Sequence, residues 1–332
     1  MVTGLTLDSA IKSGHSAIPG GPPAIARGTA QAQRSRLRYS GSCDNRPGNT
    51  MTSPTDIRAT GDSAYWAQFT DTWTTLLTYR YLGRVNPVLD RGVGCVTMPL
   101  RHDMRDSRGA VMAAPLAIAA AESGGMHDDL YIPNPVTASI DILDDARGVS
   151  RVRVLPETIK LGRAMGFSRS LIVDNANPGR VIALSSGTAI SLGTPPPGYR
   201  PVDNPPLAVE DRPDMPRLHQ VFKVAPLGDG DWQLPALDRG TASPDAALHL
   251  GPQHIALETA ASDLAHRAAA GRPIAIRHWQ VMFVARGKIG PFRTRGEVIA
   301  TPGGQLAVRL TLVDEGNGGR TVSAASAVYQ PL

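Results

Sequence analysis

The sequence predicts an α+β fold made of two copies of one plan, on three observations. In each half, a helical pattern precedes several runs that alternate apolar and polar residues, as strands of a half-covered antiparallel sheet do. The two helical patterns begin alike, with Pro115 and Pro252 near their starts. A proline-rich stretch without helical or strand period, residues 194–217, separates the halves. We therefore expect a tandem chain with two antiparallel sheets, each wrapping a long helix.

The composition excludes several classes of protein. With 332 residues, of which 42% are hydrophobic, the chain can bury a large core and is not disordered as a whole. Its two cysteines cannot form a disulfide scaffold, and the positions of Cys43 in the N-terminal segment and Cys95 in the body favour a reducing compartment. No run approaches the roughly 18 apolar residues that span a membrane. We expect a cytoplasmic protein with no membrane partner.

The net charge of +5 does not indicate a nucleic-acid surface. Residues 1–50 hold six basic and two acidic residues, so this segment carries +4 of the total. The segment is rich in Gly, Ser, Ala, Pro and Arg and has no helical or strand period. Such a composition buries too little apolar surface to offset the entropy of ordering, so residues 1–54 are predicted to be a disordered leader. We hypothesise that Met51 is the natural start.

The N-terminal half, residues 55–200, opens with a predicted amphipathic helix. Its apolar residues recur every three or four positions from Tyr65 to Tyr81, and Gly83 ends the pattern. A strand pattern, a polar turn and a helix of small apolar residues containing Pro115 follow. The strand patterns of this half lie at residues 92–100, 137–144, 150–163, 166–175 and 180–192.

The C-terminal half, residues 236–332, repeats this order after a predicted linker at residues 201–235. A turn leads into a helix within residues 247–271, which Pro252 can start and Gly271 can end. Its strand patterns lie at residues 273–288, 292–304, 305–318 and 320–332.

The two halves can be overlaid, which places Glu122 near Glu258 and residues 161–169 near residues 286–294. Each half alone would expose sheet edges, and side-by-side pairing of the copies would cover them. The smallest stable particle is therefore predicted to contain one chain, and any homodimer would be a dimer of this paired unit.

Two segments resemble one family. Residues 99–125 read PLRHDMRDSRGAVMAAPLAIAAAESGG, and residues 248–261 read LHLGPQHIALETAA. Both resemble the phenylacetate-type branch of the hot-dog thioesterase superfamily, in which an Asn-x-x-Gly turn runs into His-Gly-Gly and then into a helix bearing a catalytic Asp or Glu. The resemblance implies a double hot-dog chain over about residues 55–332, with acyl-CoA thioesterase activity.

In the second copy, the resemblance assigns His249, Gly251 and Glu258 to the family positions. Leu250 stands where the first glycine is usual, which alters the expected contact to the thioester oxygen. Glu258 follows His249 at the family's spacing, so the resemblance implies that Glu258 is the best single candidate for the carboxylate.

In the first copy, Asp106 replaces the family's Asn, and Met-Ala-Ala at residues 112–114 replaces His-Gly-Gly. Glu122 falls one residue beyond the expected carboxylate. By resemblance, each site takes its turn from one copy and its carboxylate from the other. The two candidate sites are therefore Glu258 with the turn at residues 106–114, and Glu122 with the turn at residues 249–251. We expect the better oxyanion geometry in the second site.

These candidates have structural alternatives. A glutamate on an apolar helix is rarely buried without a purpose or a partner, so Glu122 and Glu258 could instead form ion pairs across the two copies. His249 could be a helix cap or a core imidazole. His254 and His266 do not have the spacing of a zinc motif, and no metal is expected.

Basic residues at the two overlaid turns are candidates for binding coenzyme phosphates. Their alternative is an ordinary solvated rim. The residues are Arg163, Arg286, Lys288, Arg293 and Arg295.

The resulting expectation is a thioesterase that hydrolyses a small acyl thioester with Glu258 or Glu122 as base or nucleophile. Acyl-CoA would be its substrate, and no further cofactor and no nucleic acid are expected. The alternative is a non-catalytic acyl-CoA-binding hot-dog protein, which the missing His-Gly-Gly of the first copy favours and the two carboxylates disfavour.

Overall fold

The computed structural model describes residues 75–82, 96–123, 133–162, 164–191, 209–243 and 245–332. Its α-helices are α1 (Leu77–Leu82), α2 (Ala113–Ser123), α3 (Leu218–Val221) and α4 (Leu250–Ala269). Its strands are β1 (Val96–Pro99), β2 (Pro133–Ile142), β3 (Arg151–Leu161), β4 (Met165–Asp174), β5 (Val181–Ser191), β6 (Ala225–Gly228), β7 (Asp231–Leu234), β8 (Ile274–Phe283), β9 (Phe292–Ala300), β10 (Leu306–Asp314) and β11 (Arg320–Pro331). The predicted leader, Arg163 and most of the first predicted helix lie outside the described residues.

The strands that the alternating patterns predict are confirmed, but the prediction of two sheets is not. The eleven strands form one antiparallel sheet in the order β1-β3-β4-β5-β2-β8-β11-β10-β9-β7-β6. At its centre β2 pairs with β8, placing Thr137 opposite Met282 and Asp141 opposite His278. Each half leaves one strand edge unpaired, and joining the two edges satisfies their backbone N–H and C=O groups. Counted outward from this junction, the strands of the first half follow the order β2-β5-β4-β3-β1. Those of the second half follow the equivalent order β8-β11-β10-β9-β7.

Both long helices form where the sequence predicts them, and each carries a proline in its first turn, where the missing N–H costs no intrahelical bond. Helix α4 ends in a left-handed turn at Ala270 and Gly271. Helix α2 contacts α4, and both helices contact the sheet. Small side chains such as Ala113, Ala114 and Ala260 are fully buried, so the two helices belong to one continuous apolar core.

The segment predicted as a linker is partly structured. Within residues 201–235, helix α3 and the hairpin β6–β7 are formed, and β7 pairs with β9 through Leu234 opposite Phe292. Phe222 and Leu234 are buried, which explains the difference: these apolar side chains anchor the stretch to the core.

Among the described residues, no helix is both long and apolar enough to cross a membrane.

Candidate active site at the N-terminus of α2

The carboxylate of Glu258 lies on the N-terminus of α2. Its Oε1 accepts a hydrogen bond from the backbone N–H of Ala113 at 2.7 Å, and its Oε2 accepts one from Ala114 at 2.6 Å. These residues begin α2, so their N–H groups have no acceptor within the helix and stand at the positive end of its dipole. Met112, just before them, has no side-chain oxygen that could cap the helix. A side chain of the other half of the chain therefore fills that role.

The local sequence explains how the two helices come this close. Ala113 and Ala114 are fully buried, and their methyl groups leave the helix entrance open to a side chain from α4. Glu258 itself is 3% exposed and lies on a buried face of α4. The ion pair considered for Glu258 is not formed in the described part of the chain, where backbone N–H groups are its partners.

Burial raises the pKa of the Glu258 carboxyl from 4.5 to about 7. The hydrogen bonds from Ala114 and Ala113 favour the charged form and offset part of this effect, while the negative charge of Asp106 adds to it. Glu258 therefore changes its charge near neutral pH, as a general base that works at that pH needs to do.

Asp106 shapes the turn that precedes α2. Its Oδ1 accepts hydrogen bonds from the backbone N–H groups of Arg108 at 2.8 Å and Ala110 at 2.9 Å, and its Oδ2 pairs with the Arg108 guanidinium at 2.7 Å. The turn is closed by a bridge between Arg105 and Val111. Asp106 acts on Glu258 through its charge, and its own hydrogen bonds stay within the turn.

The same turn and helix recur in the C-terminal half. The bridge between Arg105 and Val111 corresponds to one between Ala242 and Leu248, and in both halves the helix begins two residues later. The turns also agree in backbone geometry, because Gly109 and Ala246, each two residues before the end of its bridge, both have positive φ. This correspondence defines equivalent positions in α2 and α4.

The overlay of Glu122 on Glu258 is off by one residue. Glu258 is the ninth residue of α4, and the ninth residue of α2 is Ala121. Glu122 corresponds to Thr259, which is rotated by about 100° around the helix axis. The side chain of Glu122 lies outside the described residues. At the position that carries the carboxylate in α4, the first half therefore has an alanine.

The N-terminus of α4 is closed by a cap from its own half and by helix α1 of the N-terminal half. His249 is its N-cap, and the His249 Nδ1 accepts a hydrogen bond from the Gly251 N–H at 3.1 Å. Helix α1 covers the same end: a Cβ built on Gly251 would lie 2.1 Å from the Thr78 Oγ1, and the Tyr79 ring meets His249 edge-on at 5.8 Å. The sequence predicts the better oxyanion geometry at this entrance, whereas in the structure the Gly251 N–H is bonded to the cap and Thr78 fills the space beside Gly251.

The predicted coenzyme contacts are engaged in other interactions. Lys288 Nζ donates to the carbonyl of Asp245 at 2.7 Å. Arg293 pairs with Asp231 at 2.7 Å and reaches Glu315 at 3.8 Å. Both therefore support the loops around β9 in this structure, and Arg163 lies outside the described residues.

Sequence reasoning gave no role beside Glu258 to two polar side chains: His254, which it considered only for a zinc motif, and Tyr329. His254, one turn earlier on α4, is fully buried and accepts a hydrogen bond from the Trp279 indole N–H at 3.0 Å. Tyr329 on β11 is buried too, and burial together with the negative charge of Glu258 raises its pKa well above 10. The four-residue spacing of His254 and Glu258 was visible in the sequence, but their burial depends on packing against the sheet.

In the described part of the chain, no group of three or more His, Cys, Asp or Glu side chains is arranged to hold a metal ion.

No family model and no curated protein sequence matches the chain. Solved structures do. A candidate oleoyl thioesterase from Lactobacillus plantarum superposes with a TM-score of 0.51 at 11% identity, over 74% of this chain and 98% of its own. A candidate thioesterase II from Thermobifida fusca YX gives 0.50 at 14% identity over 77% and 98%. A candidate thioesterase from Novosphingobium aromaticivorans gives 0.50 at 16% identity over 72% and 95%. These likenesses show the fold, and the hot-dog fold that the resemblance predicted is confirmed.

Proposed function

We propose that this protein is a thioester hydrolase built from two paired hot-dog copies, with Glu258 as the general base at the N-terminus of α2. The observation that carries the proposal is the contact of the Glu258 carboxylate with the N–H groups of Ala113 and Ala114. It joins a base and two unpaired backbone donors in one buried place, and acyl transfer requires this combination. The fold shared with structures named as thioesterases adds support.

The reaction follows from these groups. The thioester carbonyl oxygen takes the place of the carboxylate on the N–H groups of Ala113 and Ala114, which polarise the carbonyl. Glu258 removes a proton from a water molecule, whose oxygen forms a bond to the carbonyl carbon. When the tetrahedral intermediate collapses, the carbon–sulfur bond breaks, and the proton held by Glu258 passes to the leaving sulfur. The products are a carboxylic acid and a thiol.

Within the residues that the structure describes, the proposed enzyme has one such site. In α2, Ala121 occupies the position equivalent to Glu258, and at the N-terminus of α4 the Gly251 N–H is bonded to His249. The second combination of turn and carboxylate therefore lacks both a free helix N–H at Gly251 and a carboxylate at the matching position.

The substrate we propose is an acyl thioester of coenzyme A. The test measures hydrolysis of acyl-CoA thioesters of increasing chain length, with the free acid and coenzyme A quantified by chromatography, which does not depend on the protein's own thiols, Cys43 and Cys95. Glu258→Gln keeps the size of the side chain and removes the base. We expect it to lower kcat/KM by about a hundredfold or more.

Glu297→Gln is the matched control, since Glu297 is exposed on β9 and pairs with Arg309. It should leave turnover unchanged. Hydrolysis that survives in Glu258→Gln would overturn the assignment of the base. The wild-type protein could also hydrolyse thioesters of acyl carrier protein and no acyl-CoA. That result would show that the substrate is the carrier-protein thioester and not acyl-CoA.

One observation favours a second function, binding without turnover. Both oxygens of the Glu258 carboxylate already bond to the α2 N–H groups, so Glu258 could serve as a permanent helix cap. Calorimetric titration of the wild-type protein with an acyl-CoA separates the two functions. Stoichiometric binding with no release of free acid would support the binding protein, and turnover would exclude it.

A further inference from the structure

The orientation of the His254 imidazole is defined by Trp279. An indole N–H can only donate, so the Trp279 Nε1–H···Nδ1 hydrogen bond of 3.0 Å makes the His254 Nδ1 an acceptor without a proton. Full burial lowers the pKa of His254 to about 3, which keeps the ring neutral. The ring proton is therefore on Nε2, the nitrogen that is not bonded to Trp279.

This Nε2–H is a buried donor that has no hydrogen-bond partner among the described residues. The Phe283 ring stands edge-on to the imidazole at 5.6 Å and offers no acceptor oxygen. Buried polar groups without hydrogen-bond partners are rare because nothing compensates the loss of their hydration. We therefore expect the His254 Nε2–H to gain an acceptor in another conformation or complex of the protein.

The nearest turn of α4 supplies a suitable acceptor. His254 and Glu258 are four residues apart on one helix and therefore share a face. Side chains on a helix lean toward its N-terminus, so the Glu258 side chain leans over the turn that carries His254. In the present structure its carboxylate is instead held by the N–H groups of Ala113 and Ala114.

We propose that His254 is a positioning residue, which receives the Glu258 carboxylate on its Nε2–H when the thioester carbonyl takes over the N–H groups of α2. The inference rests on the proposed function. The Glu258 carboxylate thus has two positions. In the free protein it accepts hydrogen bonds from the α2 N–H groups, and in the complex it accepts one from the His254 Nε2–H. The movement frees the two backbone donors for the substrate oxygen and keeps the base hydrogen-bonded and oriented.

Other charged or titratable groups act on Glu258 or His254 from their surroundings. The charge of Asp106 raises the pKa of Glu258, His249 lowers that of His254, and Tyr329 senses the charge of Glu258. Asp106 accepts hydrogen bonds within its own turn, His249 caps the start of α4, and Tyr329 lies on strand β11. His254 is the donor that shares a helix face with Glu258.

The experiment compares three variants of the full chain. His254→Phe keeps a ring and removes the donor. His254→Gln retains both an acceptor for Trp279 and a donor. Trp279→Phe removes the bond from the sheet and leaves the His254 donor in place. If His254 only supported the core, Trp279→Phe would impair the protein as much as His254→Phe.

We expect His254→Phe to lower kcat about tenfold or more and His254→Gln to retain most of it. Trp279→Phe should lie between the two, because its His254 keeps the donor but loses the bond that fixes the ring. In His254→Phe the pH midpoint of kcat, which reports the enzyme–substrate complex, should rise, whereas that of kcat/KM, which reports the free enzyme, should not. Equal midpoint changes in both profiles, or unchanged kcat in a folded His254→Phe protein, would overturn the proposal.

A crystal structure with a non-hydrolysable acyl thioether of coenzyme A gives a readout that does not depend on activity or on the folding of a variant. The Glu258 carboxylate should lie within hydrogen-bond distance of the His254 Nε2. A carboxylate still bound to Ala113 and Ala114 beside the bound analogue would overturn the role of His254. Loss of activity in Glu258→Gln would support the proposed function independently of that result.

Discussion

Glu258 and Ala113 are joined by a 2.7 Å hydrogen bond although 145 positions of sequence separate them. The bond runs from the first backbone N–H of α2 to a carboxylate on α4, and so it links the two halves of the chain. Because both partners are buried, the bond contributes to stability, and its strength depends on whether the carboxyl is charged. One contact thus connects the pairing of the halves, the pH dependence of the protein and the proposed chemistry.

We predict that kcat/KM rises with pH through a midpoint near 7. The carboxyl of Glu258 has a pKa of about 7 because burial disfavours its charged form, and a general base acts only when it is deprotonated. Steady-state rates between pH 5.5 and 9 check this. A midpoint near the ordinary glutamate value would contradict the raised pKa.

The same group should make folding stability depend on pH. The pKa of Glu258 is raised in the folded protein from 4.5 to about 7, so between these values the folded chain holds a proton that the unfolded chain has released. Its contribution is fully present below pH 4.5 and is lost as the pH rises through 7, by about 3 kcal/mol in all. Urea unfolding of wild-type and Glu258→Gln protein between pH 4.5 and 8.5 measures the difference. A difference independent of pH would exclude the linkage.

Gly251→Ala should destabilise the protein. The added Cβ would lie 2.1 Å from the Thr78 Oγ1 and 2.9 Å from its Cβ, so α1 must move away from α4. We expect a loss of about 1–3 kcal/mol in the free energy of unfolding. Gly179→Ala is the matched control, because its Cβ would make only an ordinary contact, at 3.5 Å from the Asn177 Oδ1.

A double variant tests the cause of this loss. Thr78→Ala removes the two closest atoms and should recover part of the stability of Gly251→Ala. If the two substitutions are simply additive, Thr78 is not the obstacle.

His249→Ala should affect stability and leave turnover nearly intact. The variant loses the cap of α4 at the Gly251 N–H, which costs about 1 kcal/mol in comparable caps. His266→Ala, on the exposed face of the same helix, is the control for general effects on α4. If His249→Ala lowered kcat/KM as much as Glu258→Gln does, His249 would take part in the reaction. That result would contradict the assignment of a single site.

Much of the fold was predictable because the signals that specify it are local. The alternation of apolar and polar residues located the strands from β2 to β5 and from β8 to β11. Pro115 and Pro252 marked the two long helices. The choice of Glu258 as the best single carboxylate also came from one segment, residues 248–261, by its resemblance to a known turn and helix.

Other features depended on contacts between distant segments. Strands β2 and β8 could either pair within one sheet or be the edge strands of two separate sheets. Their backbone pairing decides this, and the alternation of apolar and polar residues in either strand does not reveal it. The sequence already places Glu122 one residue beyond the expected carboxylate, and the bridges of the two turns show that no bulge corrects this offset. The stretch around Phe222, which reads as a linker by its prolines, is ordered by what it buries.

Taken alone, the amino-acid order determined where helices and strands form, because side-chain periodicity, proline and glycine act within a few residues of their own position. Only the folded chain decided which helix entrance receives a carboxylate and which is sealed by His249 and Thr78. That outcome depends on Glu122 lying one residue beyond Ala121, the position equivalent to Glu258, and on the burial of side chains that are far apart in sequence. Directional hydrogen bonds and close packing act over a few ångströms in space, whatever the distance along the chain.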